Sequence, residues 1–148
     1  MNGIRIEVAG IPAPQGSKRF VGAASGRGRM VESSKAVGPW REAVRAETQR
    51  AMAGAAPVDA PVAVEIAFTL PRPRGHFGAR GLLPSAPAHP AGKPDLDKLL
   101  RAVLDGLVAG GAIADDARAW RIACTKTYAD GAAPGALITI ALPEGTTR

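Results

Sequence analysis

The chain has a single cysteine, Cys124, so no disulfide can form within it. Set in an alternating apolar stretch, that residue reads as core rather than as a reactive thiol, and a reducing, cytoplasmic compartment is the expectation. Histidine is nearly as scarce. His76 and His89 lie among prolines and glycines with neither metal-ligand spacing nor an assigned base, so chemistry in this chain is expected to run without histidine. No segment approaches the roughly 20 apolar residues of a membrane span. The opening MNGIRIEVAG also lacks the basic and then apolar pattern of an export signal, so a soluble, unexported protein is expected. Acid is missing from two long segments, PAPQGSKRFVGAASGRGRM and residues 71–94, although both carry several basic residues.

The 148 residues carry a net charge of +6, and arginines outnumber lysines 14 to 5. Such a balance favours a polyanionic partner, because basic side chains release counterions from nucleic acid and arginine matches phosphate bidentately. The length suits one domain with a self-sufficient core, spanning residues 1–148.

Apolar periodicity gives the order of elements. Ile4, Ile6 and Val8 alternate as a first strand, and a basic loop or open hairpin follows, closed by a short strand at 30–32. Trp40, Ala43, Val44, Glu47 and Ala51 recur at helical steps from about Pro39 to Ala53. Val62, Val64, Ile66, Phe68 and Leu70 mark the clearest strand. A Pro/Gly-rich loop over 71–94 leads to a helix from about Leu96 to Ala109, stopped by Gly110 and Gly111. Two strands end the chain, one through Trp120, Ile122 and Cys124, the other through Ala136, Ile138, Ile140 and Leu142. Read as a terminal hairpin, they complete a single α+β domain whose mixed sheet of four to five strands is packed by two helices.

Charge is segregated along this order. Asp95, Asp97, Asp105, Asp115 and Asp116 face only Lys98 and Arg101 in the stretch from 95 to 116. Asp95 and Asp97 open the second helix, where capping and the helix dipole would explain them without any function. Pro94, however, makes an extended entry to the helix, so a start between the two aspartates would let their carboxylates converge. Two carboxylates ~4 Å apart repel by about 4 kcal/mol at an effective dielectric of 20, which a divalent cation relieves. Magnesium suits a pair of carboxylates completed by substrate phosphate and water. Asp116 can serve as third ligand if the chain runs straight back along the helix, a tight return over seven residues. Arg101 lies one turn after Asp97 and leans toward the same end, as a simple ion-pair partner or as a phosphate contact. The leucines and valines between Leu96 and Val108 form an apolar face of core or subunit interface.

Lysine, proline and Asp-x-Asp, then an apolar helix with Asp105, then the Asp115–Asp116 pair, together resemble the RusA family of Holliday junction resolvases. The stretch IEVAGIPAPQGSKRF is similar to that family's opening. The resemblance implies a homodimeric, magnesium-dependent endonuclease of branched double-stranded DNA in recombination and repair, often encoded by phages or prophages. It also implies Asp95, Asp97 and Asp116 as metal-binding and catalytic acids, with Arg101 at the place of a catalytic lysine. Lys98 replaces the asparagine usual after Asp-x-Asp, and Arg101 keeps the charge of the lysine without its capacity to lose a proton. The basic surface for DNA is expected from Lys18, Arg19, Arg27, Arg29, Arg72, Arg74, Lys93 and Lys98. The competing readings are a DNA-binding protein with nuclease activity weakened or lost, and a metal-dependent phosphohydrolase acting on nucleotides or RNA.

Overall fold

Five buried side chains in alternation at residues 62–70 require a strand covered on one face and paired on both edges. A computed structural model, which describes residues 3–16, 19–21, 29–31 and 35–143, puts this strand in such a place. The elements are β1 (Gly3–Ala9), β2 (Arg19–Val21), β3 (Arg29–Val31), α1 (Val37–Met52), β4 (Val62–Leu70), β5 (Phe77–Gly78), β6 (Gly81–Leu82), α2 (Leu96–Ala109), β7 (Ala119–Tyr128) and β8 (Gly135–Ala141). The main sheet has the order β1-β8-β4-β7, while β2 pairs with β3 and β5 with β6 as small antiparallel ribbons. One α+β domain results, with both α-helices packed on one face of a four-stranded mixed sheet.

The core lies between that face and the helices. Ile4, Ile6, Val8, Ile138, Ile140 and the inward residues of β4 meet Trp40 and Val44 from α1 and Leu99, Val103 and Leu107 from α2. Each such side chain contributes about 1.5–3 kcal/mol when fully buried. The stripe of α1 is centred on Val37, Trp40, Val44, Thr48 and Met52, so Glu47 stands at its margin rather than within it. The helices approach closely because α2 carries glycine where they cross. A Cβ on Gly106 would lie 2.5 Å from Val44 Cγ1, and one on Gly110 would lie 2.6 Å from Thr48 Cβ.

The two final strands do not form the expected hairpin. β7 runs parallel to β4 along the sheet edge, and β8 inserts antiparallel between β1 and β4. The inward residues explain the exchange: Ile138 and Ile140 are fully buried and need a central place, whereas β7 offers Ile122 and Lys126 on the same face. The link from β7 to β8 crosses the end of β4, with Ala129 N–H donating to the Leu70 carbonyl at 2.8 Å. Among the described residues, no helix is long and apolar enough to cross a membrane.

Strands β1, β4 and β7 all point the same way, so the segments that follow them emerge at one end of the sheet. The Gln15 N–H donates to the Lys98 carbonyl at 3.0 Å, which ties the loop after β1 to the start of α2. Overpacking fixes the first expectation. Gly106→Ala should destabilise the fold by about 1–3 kcal/mol in urea unfolding. Gly38→Ala, on the open side of α1 with nothing within 4 Å, should be neutral or stabilising by up to ~1 kcal/mol.

Candidate functional site

The helix α2 begins between the two aspartates, as the extended entry through Pro94 anticipates. Asp95 occupies the N-cap position with extended backbone (φ −68°, ψ 136°), yet its carboxylate accepts no capping hydrogen bond. Its backbone carbonyl instead accepts from the N–H groups of Lys98 and Leu99, both at 3.1 Å. Asp97 stands exposed in the first turn. The structural explanation for Asp95, satisfaction of free helix N–H groups, is therefore not the use made of it.

Cations surround this helix start. Lys98 Nζ lies 3.8 Å from Asp95 Oδ2, and Arg101 and Lys93 are exposed nearby in the chain. Lys126 reaches across from β7 and donates from Nζ to the carbonyls of Gly92 at 2.7 Å and Pro94 at 2.9 Å, fixing the turn that presents Asp95. That lysine was not anticipated from the sequence. Its signal was there, as the one charged residue on the inward side of an otherwise apolar alternation through Ile122 and Cys124. Beside the same turn, Ile11, Pro12, Pro14, Pro94, Asp95 and Lys98 help line a mainly apolar groove of about 560 Å³.

Asp116 stands elsewhere. Chain 110–114 does not return along α2, because Val58 holds it: the Val58 N–H donates to the Ala112 carbonyl, and the Ala114 N–H to the Val58 carbonyl, both at 2.9 Å. Asp116 then opens a single 3-10 turn just before β7 and shares a shallow groove with Asp105, Val108 and Asp115. Some 12 Å of helix rise separates Asp97 from Asp105. Among the described residues of one chain, no three acidic, histidine or cysteine side chains stand close enough together to hold a metal ion.

Asp115 and Asp116 share a hydrogen bond that splits their acidities. The Asp115 carboxyl is lowered by the Ala117 N–H, donating to Oδ1 at 2.8 Å, and then by Asp116. Asp116 is raised by its hydrogen bond to Asp115, then by burial and by the charges of Asp115 and Asp105.

The expected basic residues divide. Arg74 and Lys93 are exposed on the 71–94 segment, and Arg19 and Arg29 sit in the β2–β3 ribbon, while Lys18 and Arg27 lie outside the described residues. Arg72 is turned inward, its side chain 5% exposed. It donates to both Asp130 oxygens (2.6 and 3.0 Å) and to the Pro87 carbonyl (2.7 Å), and its carbon centre lies 4.3 Å from the centroid of the Tyr128 ring. His76 Nδ1 is 3.2 Å from the same guanidinium, which has no lone pair to offer, so this nitrogen must be the acceptor. Arg72 thus anchors the loop that it was expected to decorate as a phosphate contact.

Fold and site together describe a chain with an uncapped Asp-x-Asp in a basic setting. The chain matches the family described as Endodeoxyribonuclease RusA over residues 10–141, and it belongs to that family. No curated protein matches it.

The Arg72 anchor makes its own prediction. Arg72 holds the Asp130 carboxyl below its usual range, so this ion pair stabilises the fold above the unfolded pKa near 4 and loses its effect as pH falls through the lower folded value. In Asp130→Asn the difference in melting temperature between pH 7 and pH 3 should shrink, and cleavage by protease within 71–94 at pH 7 should quicken.

Proposed function

We propose that this chain is a magnesium-dependent endonuclease that resolves four-way DNA junctions by paired phosphodiester hydrolysis, in recombination and repair. The observation that carries this reading is the uncapped carboxylate of Asp95 at the N-cap, with Asp97 in the first turn, Lys98 3.8 Å away and Lys126 holding the turn before it. Family membership supplies the reaction class, an endodeoxyribonuclease.

Asp95 and Asp97, with Asp116 as a third acid, would hold Mg2+. Two carboxylates completed by phosphate and water are a usual donor set for that ion, and the uncapped Asp95 leaves its oxygens available. When bound, the ion polarises the scissile phosphate and acidifies an attacking water. The protein's own groups do the rest. Lys126 fixes the turn that presents Asp95, so the carboxylate is positioned before substrate arrives. Arg101 contacts the phosphate and offsets the charge that builds on it in the transition state; being always protonated, it moves no proton. Lys98 shares the field of Asp95 and limits repulsion between the two acids. Arg74 and Lys93, with the basic residues of the 12–30 segment, hold the arms of the duplex through their phosphates. Paired nicks on two strands of like polarity call for two equivalent sites, which a homodimer provides.

A second reading has an observation in its favour, since the described residues of a single chain gather no three-acid group. On that reading the protein binds branched DNA without cutting it. A synthetic four-way junction separates the two. With Mg2+ the wild type should nick it, EDTA should abolish the reaction, and Asp97→Asn should lose more than about 100-fold, since even partners of metal ligands cost 10–100-fold. Tight binding with no Mg2+-dependent nicking would favour the second reading.

A further inference from the structure

We propose that the β5–β6 hairpin is a wedge for branched DNA, in which Phe77 and Leu82 stack on bases that are poorly stacked at the branch point while Arg74 and Arg80 hold the phosphates beside them. The inference rests on the reading of the chain as a junction nuclease and names the contact by which it distinguishes a branch from a plain duplex.

The loop over 71–94 is tied down rather than slack. Arg72 clamps it on both sides of the hairpin, donating to the Asp130 carboxylate and to the Pro87 carbonyl. His76 meets the Tyr128 ring edge-on, with centroids 5.3 Å apart. The Leu83 N–H donates to the His76 carbonyl at 2.9 Å, and the His76 N–H to the Pro73 carbonyl at 3.1 Å. Leu83 also fills the space over Gly78, where a Cβ would lie 2.8 Å from Leu83 Cδ2.

A hairpin held this firmly still leaves two large apolar side chains outside. Phe77 and Leu82 are register partners, 50% and 49% exposed, and neither belongs to the core. Opposite residues of an antiparallel pair share one face, with Cβ atoms about 5 Å apart. Gly78, Ala79 and Gly81 are too small to cover them, so the ribbon is a thin blade with an apolar face. Apolar wedges of this kind, phenylalanine and leucine among them, enter between base steps and unstack them.

Charge selects the occupant. Residues 71–94 contain no acid, and with Arg72 paired to Asp130 the cations Arg74, Arg80 and Lys93 remain exposed on the same segment. A second copy of this surface would set arginine against arginine. DNA instead offers phosphates to the cations and base faces to the aromatic ring. Taking a base out of its stack costs least where pairing is already interrupted, so a wedge favours a branch point over a continuous duplex.

The hairpin is also fixed beside the acids at the start of α2. Tyr128 backs the hairpin, and Lys126 holds the Gly92 and Pro94 carbonyls of the Asp95 turn. Two residues apart on β7, they project from one face about 7 Å apart. One strand end therefore sets both the blade and the turn that presents Asp95.

A four-way junction carrying 2-aminopurine at the branch point, held in EDTA so that nothing is cut, tests this. Binding of the wild type should raise the fluorescence as the base unstacks. Phe77→Ala should bind the junction about 10-fold more weakly, lose most of that rise at saturation, and keep its affinity for linear duplex. Phe77→Trp should restore both signals. Wild-type junction affinity and fluorescence in Phe77→Ala, or equal weakening toward junction and duplex, would overturn the wedge. So would a Phe77→Ala chain that melts well below the wild type, which makes Phe77 a packing residue, or one whose oligomeric state changes in sedimentation without DNA, which makes the face a contact between copies. A fluorescence rise without nicking in Mg2+ keeps the wedge and removes the nuclease reading, whereas nicking by a wild type that gives no rise does the reverse.

Discussion

The parallel pairing of β4 with β7 is the constraint on which the rest of the structure depends. Parallel neighbours cannot be joined by a tight turn, so the chain between them must cross the sheet, and α2 is the crossing element. The crossing carries the chain from the end where β4 stops to the end where β7 starts. Asp95 and Asp97 are therefore set at one end and Asp116 at the other, parted by topology rather than by loop geometry. The same pairing makes β7 an edge, and it gives Lys126 an inward position from which it reaches the Asp95 turn.

Electrostatics then turns the start of α2 into more than a helix terminus. A free helix N-terminus favours negative charge, and Asp95 stands where its carboxylate could cap it, but the backbone closes its first bonds through the Asp95 carbonyl and leaves the carboxylate uncommitted. Lys98, 3.8 Å from Asp95, offsets part of the negative charge held there. At the far end acids predominate: Asp116 is raised by its hydrogen bond to Asp115, then by burial and by the charges of Asp115 and Asp105, while Arg41, 4.0 Å from Asp105, and Arg118, which lowers Asp115, offer partial relief.

Much of the fold was legible in local pattern. The helix at Leu96–Ala109 and the strand at Val62–Leu70 stand where their periodicity places them, because an apolar stripe and a strict alternation each admit one face to the core. The α+β class follows from the order of elements. Strand order was not legible, since β7 and β8 read as a hairpin by adjacency alone, and only competition for the central position puts Ile138 and Ile140 inside and Ile122 at the edge. The helix start between Asp95 and Asp97 was readable because Pro94 sets an extended entry by local geometry. The position of Asp116 depends on Val58, more than fifty residues earlier, and Arg72 is drawn inward by Asp130, equally distant; no local pattern encodes either contact.

Iron-directed cleavage of the polypeptide tests most directly whether Asp95, Asp97 and Asp116 act on one ion. With Fe2+ in place of Mg2+, ascorbate and peroxide generate radicals that cut the backbone beside the bound ion. The account predicts cuts clustered at two separate places in the wild-type chain, around residues 95–97 and around residue 116, both lost in Asp97→Asn. Cuts confined to residues 95–97, with the segment around 116 intact, would contradict it.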